Sequence, residues 1–175
     1  MRLIPYIVIV FIFASCTPHN GGTPPQKEKI DTVYTTADFR SHGDYYDTGL
    51  HVFAIDLLSD GLTYDSAFHI SGTGYNLFLS DIFAAADTLP AGHYTMDSTA
   101  KDMTFLRALD FDKRYTGTYL LKIQEDQIQK IILFTKGSMD IQYIDQEIQI
   151  DFSLYADSKH YQATYIGPAN YRVPK

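Results

Sequence analysis

Cysteine and glutamate are both scarce in this chain, which has one cysteine and three glutamates against eighteen aspartates among its 175 residues. A single thiol allows no disulfide within the chain, so the fold depends on its own core for stability. Glutamate favours helices whereas aspartate favours turns, and this imbalance argues against a helical protein. Downstream of residue 13 there is also no apolar run close to the about twenty residues that a membrane-spanning helix needs.

Positive charge is scarce as well. The chain has 14 lysines and arginines against 21 acidic residues, which gives a net charge of −7 at pH 7. Nucleic acid and anionic membrane surfaces both attract proteins with an excess of positive charge. The charge balance therefore argues against either as a partner and mainly favours solubility.

The N-terminus carries the one long apolar stretch. Leu3 to Phe13 spans eleven residues, is interrupted only by Pro5 and follows the positively charged Arg2. This length is typical of a secretory signal peptide and is too short to cross a bilayer as a helix. We therefore expect residues 1–15 to be a signal peptide and the rest of the chain to be exported.

The next residues, Phe13-Ala14-Ser15-Cys16, resemble the lipobox of bacterial lipoproteins. The resemblance implies that Cys16 is lipidated with diacylglycerol and palmitate-type chains. The protein would then be an envelope lipoprotein held to the outer membrane by its N-terminal lipid, on its periplasmic or its surface face. The alternative is cleavage at Ala14 or Ser15, which would leave a soluble secreted protein with a free thiol.

The composition changes after Cys16. Residues 17–29 are rich in proline, glycine and charged side chains and contain no apolar residue to bury, so residues 16–29 are predicted to be the lipidated cysteine and a disordered tether. Residues 30–175 are predicted to form one domain, which at this size can bury about two-thirds of its unfolded surface.

Strict alternation of apolar and polar residues predicts β-strands in this domain. Ile148 to Ala156 shows the clearest period of two, and Asp157-Ser158 turns the chain into a second strand, Lys159 to Ile166. Leu50 to Leu58 carries apolar residues at both odd-numbered and even-numbered positions, which predicts a strand covered on both faces. Further strands are predicted at residues 75–79, 93–96, 119–123, 128–134 and 139–143.

The last third of the chain is predicted to be an antiparallel meander in which Lys136-Gly137 turns strand 128–134 onto strand 139–143. Asp81 to Asp87 is predicted to be a short helix or loop, and Ser98 to Leu109 fits a helix or a strand. The expected fold is therefore all-β, either an antiparallel barrel of about eight strands of the lipocalin or streptavidin kind or a two-sheet β-sandwich.

The organisation of the chain resembles small Gram-negative envelope lipoproteins that carry one β-barrel or β-sandwich domain behind a tether. The likeness rests on the Cys16 region, the Leu89 to Thr95 turn and strand, and the strand Tyr161 to Gly167. It implies a location and a fold class but no mechanism.

Known catalytic signatures are absent from the sequence: it has no Gly-x-Ser-x-Gly, no His-Glu-x-x-His and no phosphate-binding glycine loop. A few other residues could carry chemistry, but each has a simpler structural interpretation: a charged turn, a histidine whose ring nitrogens are hydrogen-bonded within the fold, or aspartates that form turns. Neither a catalytic residue nor a metal or cofactor site is predicted. These candidates are the pair Asp110 and Asp112, the histidine His51, and the aspartates Asp56, Asp60 and Asp65.

Five tyrosines share parity with the apolar residues of their predicted strands and should face the interior. If the domain is a barrel, they either fill it or line a ligand cavity, and the ligand hypothesis requires at least three of them around one cavity of about 300 Å³ or more. They are Tyr75, Tyr119, Tyr143, Tyr161 and Tyr165.

Four hydroxyl residues follow an aspartate in a pattern that resembles the Asp-(Ser/Thr)-apolar/Thr acceptor motif for O-glycosylation in some Gram-negative bacteria. The same dipeptides are also ordinary turn formers, which is the competing explanation. The four candidates are Thr32, Ser66, Thr88 and Ser98.

Three functions are compatible with the sequence. The first is a non-catalytic binding module for a small molecule, a peptide or a glycan. The second is a structural or assembly subunit that contacts another envelope protein, for instance by strand addition, and the third is an enzyme of unfamiliar type. A deep pocket would favour the first, and a long uncovered edge strand the second.

Overall fold

The computed structural model describes residues 33–67, 69–112, 114–169 and 171–172, and all regular structure in these ranges is β. They contain no helix, and hence none long and apolar enough to span a bilayer. The proposed signal peptide, Cys16, the tether and Thr32 lie outside the described residues. The strands are β1 Val33–Ser41, β2 His51–Ser59, β3 Leu62–Tyr64, β4 Ile70–Gly72, β5 Gly74–Ala84, β6 Gly92–Asp97, β7 Thr104–Leu106, β8 Leu109–Phe111, β9 Arg114–Thr116, β10 Thr118–Gln124, β11 Gln127–Leu133, β12 Lys136–Ile144, β13 Glu147–Ala156, β14 Lys159–Gly167 and β15 Tyr171–Arg172.

Eight strands form a closed barrel. They pair in the order β5-β2-β1-β14-β13-β12-β6-β7, and β7 pairs back onto β5 through Ile82 with Phe105 and Phe83 with Thr104. Closure decides between the two expected architectures in favour of the barrel. A barrel of this size has an interior just wide enough for side chains to fill.

The interior is a packed core. Alternate residues of each strand point inward, and Phe39, Phe53, Ile55, Tyr94 and Phe105 have no exposed surface. A partly open void of about 10 Å³ lies beside Tyr161, which is room for about one water molecule. The barrel is therefore held together by side chains that fill it.

The prediction of an all-β barrel is confirmed, but two details of the predicted antiparallel strand pairing are wrong. First, β12 pairs with β13 and β6 but not with β11, and Lys136-Gly137 is the start of β12 rather than a turn. Gly137 is needed because a Cβ there would come within 2.7 Å of the Leu154 side chain and the Ser153 carbonyl oxygen. Second, three pairs are parallel, namely β1–β14, β1–β15 and β6–β7, so the sheet is mixed.

The prediction of a short helix or loop at Asp81 to Asp87 is wrong for residues 81–84, where β5 continues to Ala84, whereas residues 85–87 form a loop. Between Leu79 and Ile82 the strand carries two residues opposite one residue of β2, which makes a β-bulge. The region Ser98 to Leu109, whose sequence fitted a helix or a strand, contains the strand β7. This strand runs parallel to β6.

The outer edge of β5 has two different partners. Gly74 to Leu79 pairs with β10, whereas Ile82 and Phe83 pair with β7. β10 continues into β11 as a hairpin, and Glu125 and Asp126 both have positive φ in the turn that joins the two strands. The hairpin β3–β4 covers the outside of β2 through a small cluster of Leu58, Leu62 and Ile123, so β2 is covered on both faces as predicted.

Candidate functional site

The five predicted tyrosines do not converge. Tyr161 and Tyr165 are buried in the core, and Tyr75 packs against it from the barrel end. Tyr143 keeps its inward parity but lies at the rim and is 46% exposed, with its hydroxyl donating to the Leu89 carbonyl oxygen at 2.7 Å. Tyr119 is on the outer face, where its ring contacts Phe78 at 5.1 Å, so its predicted inward orientation is wrong.

Of these five rings, Tyr161 borders the void described above. Its ring packs edge-on against Phe134 at 5.3 Å, and the Tyr165 hydroxyl donates to the Pro168 carbonyl oxygen at 3.1 Å. These tyrosines therefore lie in the core, at the rim or on the outer face, and the predicted cavity bordered by at least three of the rings loses its geometric basis.

A groove on the outer face combines polar and aromatic groups. It has a volume of about 290 Å³ and a floor of Val52 and Ala54, which are nearly buried. Its walls are His42 and Tyr45 on one side and the β5 bulge on the other. We call it the Ser80–Asp81 groove; its lining residues are His42, Tyr45, Val52, Ala54, Ser80 and Asp81.

The bulge exists because β5 exchanges partners at this point. Ser80 N–H donates to the Gly117 carbonyl oxygen at 3.0 Å, and Gly117 N–H donates to Ser80 Oγ at 2.8 Å. Gly117 has a φ of +78°, and a Cβ would lie 2.0 Å from the Arg107 carbonyl oxygen. Only glycine fits, so the junction between β10 and β7 fixes the position of the groove wall.

The bulge turns the Asp81 carboxylate into the groove wall. Asp81 has a φ of +54°, a left-handed conformation that aspartate, with its short polar side chain, adopts more readily than most non-glycine residues. Its Oδ1 accepts a hydrogen bond from the Tyr46 hydroxyl at 2.6 Å, and its Oδ2 accepts one from Ser80 Oγ at 2.8 Å. A carboxylate has about four lone-pair sites, so acceptor capacity remains for a ligand.

The Asp81 hydrogen bond raises the pKa of Tyr46 to about 12, with burial as the second cause. The Tyr46 hydroxyl therefore stays protonated and keeps donating at physiological pH. The neighbouring ring of Tyr45 packs edge-on against Tyr46 at 5.0 Å. Both rings remain accessible, at 68% and 48% exposure, so they can contact a ligand.

The loop that carries these rings is held by Asp44. Its carboxylate accepts hydrogen bonds from the N–H groups of Thr48 and Gly49, both at 2.8 Å. This is the local turn chemistry expected of aspartate. The rings are thus presented by a loop with its own hydrogen-bonded closure.

Next to the groove lies a polar row that the sequence interpretation missed. Asp38, Asp56, Phe78 and Tyr119 face one another across β1, β2, β5 and β10. Arg40 spans the row: its Nε lies 3.2 Å from Asp38, its guanidinium reaches Asp56 at 3.6 Å, and it stacks on Phe78 at 5.3 Å.

Asp56 is the buried member of this row. Desolvation raises its pKa, although hydrogen bonds from Asn76 and Tyr64 and the charge of Arg40 oppose that shift. Asp56 lies within β2, as the predicted strand Leu50 to Leu58 implies, and not in the turn that was its simpler interpretation. A charged residue inside a strand that is apolar on both parities was the available signal.

The remaining candidates lie apart from the groove. Nε2 of His51 is 3.4 Å from Asp87, and Asp110 and Asp112 are exposed on the β8–β9 hairpin. Among the residues that the structure describes, no group of three or more His, Cys, Asp or Glu side chains could hold a metal ion.

Three glycosylation candidates are exposed: Ser66, Thr88 and Ser98. The Asp65 and Asp97 carboxylates preceding two of them accept backbone hydrogen bonds, from Ala67 and Ser98 N–H respectively. These are ordinary turn contacts, so modification stays a prediction.

The chain matches no protein-family model, and no curated protein or solved structure is significantly similar to it. Function therefore has to be inferred from the geometry and chemistry of its own surface.

Proposed function

We propose that this protein is a lipid-anchored envelope protein that binds a carbohydrate non-catalytically in the Ser80–Asp81 groove. One observation carries the proposal: the Asp81 carboxylate, which keeps acceptor capacity for a ligand, lines a groove beside two exposed tyrosine rings.

A sugar fits this combination of groups. Sugar hydroxyls donate hydrogen bonds that the charged Asp81 carboxylate accepts strongly, and the apolar C–H face of a sugar ring packs against an aromatic ring such as Tyr45. The groove volume of about 290 Å³ lies at the lower end of the range of about 300–1,000 Å³ for small-molecule sites. The expected ligand is therefore one or two sugar units or the end of a longer glycan.

Binding without catalysis is favoured by the number of carboxylates. A glycosidase requires two carboxyl groups roughly 5–10 Å apart on either side of the bond that it cleaves. Among the described residues that line the groove, Asp81 is the one carboxylate. Such a site can orient a glycan but lacks the usual acid and nucleophile pair.

The binding test uses methyl glycosides of glucose, galactose, mannose and N-acetylglucosamine as probes in saturation-transfer NMR and calorimetry. Asp81→Asn tolerates the same backbone conformation but removes the charge, and should weaken binding about tenfold. Tyr45→Ala should weaken it several-fold. Tyr155→Ala is the matched control, because Tyr155 is also exposed but stacks on His160 at 4.3 Å on another surface.

Integrity of the Asp81→Asn variant can be checked independently, since the pKa of Tyr46 should fall from about 12 toward its ordinary value of 10.0. Absence of binding by all four glycosides, or binding that Asp81→Asn leaves unchanged, would contradict the carbohydrate proposal.

The proposed location in the cell envelope depends on lipidation of Cys16 and has a separate test. Cells fed an alkyne-labelled palmitate analogue should incorporate the label into wild-type protein in the membrane fraction, and Cys16→Ala should abolish labelling. Acyl chains contribute about 0.8 kcal/mol per buried methylene, so an anchored protein would not release spontaneously. Wild-type protein that is unlabelled and soluble would defeat this part of the proposal.

A second function, contact with another envelope protein, is favoured by one specific observation. The edge of β11 that faces away from β10 is not paired with any strand in the described ranges.

A further inference from the structure

The unpaired edge of β11 has an assignable hydrogen-bonding pattern. Phe134 N–H donates to the Thr118 carbonyl oxygen on the β10 side at 3.1 Å, whereas Thr135 N–H donates in the opposite direction, to Tyr155 of β13, at 3.0 Å. Backbone groups alternate in direction along a strand. The N–H and C=O groups of Leu133 and Ile131 therefore face away from β10, where no described strand receives them.

These groups open into a slot between β11 and the tip of the β13–β14 hairpin. The slot has a volume of about 290 Å³, with Ile131, Leu133, Ala156 and Tyr161 among its apolar lining. Thr135 closes one end through its hydrogen bond to Tyr155. The slot therefore offers unused backbone groups and apolar surface together, which are the two components of strand addition.

The surroundings of the slot are positively charged, in contrast to the chain as a whole. Lys122 and Lys130 are directly opposite each other in the β10–β11 register, and Lys130 and Lys159 both line the slot. Like charges directly opposite one another destabilise a sheet. In the part of the chain that the structure describes, neither Lys122 nor Lys130 has a carboxylate within salt-bridge distance, and Asp157 is the one acidic residue of the slot.

We infer that the slot receives an extended acidic segment of another protein, which adds to β11 as a strand. The Ile131 and Leu133 backbone would hydrogen-bond the segment, and its carboxylates would neutralise the Lys122–Lys130 pair. A second copy of this chain pairing through the same edge is disfavoured, because it would bring two such lysine pairs together. The site is separate from the Ser80–Asp81 groove and does not depend on carbohydrate binding.

The probe is a fluorescein-labelled octapeptide of alternating Glu and Val, compared with one of alternating Lys and Val. Anisotropy should detect binding of the acidic peptide, weakened by salt, and hydrogen exchange at the Ile131 and Leu133 amides should slow when it is present. Lys130→Glu should weaken binding about tenfold. The matched control is Lys101→Glu, which alters a lysine paired with Asp97 at another site.

The backbone contribution is isolated by Ile131→Pro, which removes an outward N–H that β10 does not use and should weaken binding about tenfold. Ile131→Ala keeps the N–H and loses only part of the apolar lining, so it should weaken binding less than Ile131→Pro does. Four results would overturn the inference: equal binding of both peptides, no effect of Ile131→Pro, binding to phosphatidylglycerol vesicles that displaces the acidic peptide, or a concentration-dependent dimer that Ile131→Pro abolishes. Sugar binding should be unaffected in all four variants, which separates this test from that of the groove.

Discussion

The two halves of the barrel, taken along β5, are built differently. In the half where β5 pairs with β7, the ring of strands is complete and its core includes Tyr94 and Phe105, which have no exposed surface. In the half where β5 pairs with β10, the described part of the sheet ends at the outer edge of β11, beside two lysines in direct register. We call these the closed half and the open half. The comparison indicates that the closed half supplies most of the stability, whereas the open half is less stable because it keeps unpaired backbone groups and like charges.

The largest expected contrast is between core residues of the two halves. Phe105→Ala should lower the free energy of unfolding by about 3–5 kcal/mol, because it leaves a cavity in the closed half. Ile131→Ala in the open half should lower it by less than about 1 kcal/mol, since the side chain is partly exposed. Urea denaturation monitored by tyrosine fluorescence measures both, and similar shifts of the two midpoints would contradict the comparison.

The junction between the halves should be the next most sensitive position. Gly117→Ala combines a positive φ with a clash against the Arg107 carbonyl oxygen and should cost about 2–4 kcal/mol. Gly49→Ala is a close control, because Gly49 has the same φ of +78° but nothing within 4 Å of the added Cβ. It should cost about 1–2 kcal/mol, and equal losses in the two variants would show that the clash is relieved by movement.

The buried polar groups of the two halves should differ in how they make the free energy of unfolding depend on pH. The pKa of Asp56 is raised by desolvation, so the folded state binds its proton more tightly than the unfolded state does. Stability from this group is therefore lost as pH rises from the ordinary aspartate pKa, about 3.9, through the raised value. Asp56→Asn should remove this loss, so that stability of the variant relative to wild type increases with pH.

Thr104 in the closed half provides the comparison for Asp56. It is also buried, and its hydroxyl donates to the Lys101 carbonyl oxygen at 2.7 Å, but it does not titrate. Thr104→Val should destabilise the protein by the same amount at every pH. Denaturation curves between pH 4 and 8 that were parallel for Asp56→Asn and wild type would refute the assignment.

The smallest expected effect is a gain. Lys130→Glu replaces the like-charged pair with Lys122 by an opposite-charged one and should stabilise the protein by about 0.2–1 kcal/mol. The gain should shrink at high salt, because both side chains are exposed. Loss of stability at low salt would show that the two lysines do not repel each other.

Local patterns predicted the strands well where alternation is strict. Residues 148–156 and 159–166 form β13 and β14 with nearly the predicted bounds, because one face of each strand is buried and the other is wet. The parallel pairs and the partner exchange along β5 depend on contacts between distant segments, which no local period records. Gly137 shows the difficulty: a glycine needed for close packing has the same appearance in sequence as a glycine in a turn.

The groove could have been found in part. Inward residues of β5 are Leu77 and Leu79 before the bulge and Ile82 and Ala84 after it, so the alternation shifts by one residue at Ser80–Asp81. Such a shift is the sequence signature of a bulge. What the sequence does not contain is the position of the 42–50 loop, which brings Tyr45 and Tyr46 to the same place.

The first described strand has consequences for the order in which the barrel is completed. β1 lies between β2 and the pair β14 and β15, so Val33 contacts Thr164 and Phe39 contacts Tyr171. Pairing β1 with β14 and β15 therefore brings together residues that lie far apart in the chain. Closing a loop of this length before other contacts are gained makes folding slow, in the millisecond-to-second range of all-β barrels. One edge of β1 therefore has no strand partner until β14 and β15 are available, so the barrel cannot close before nearly the whole described chain is present.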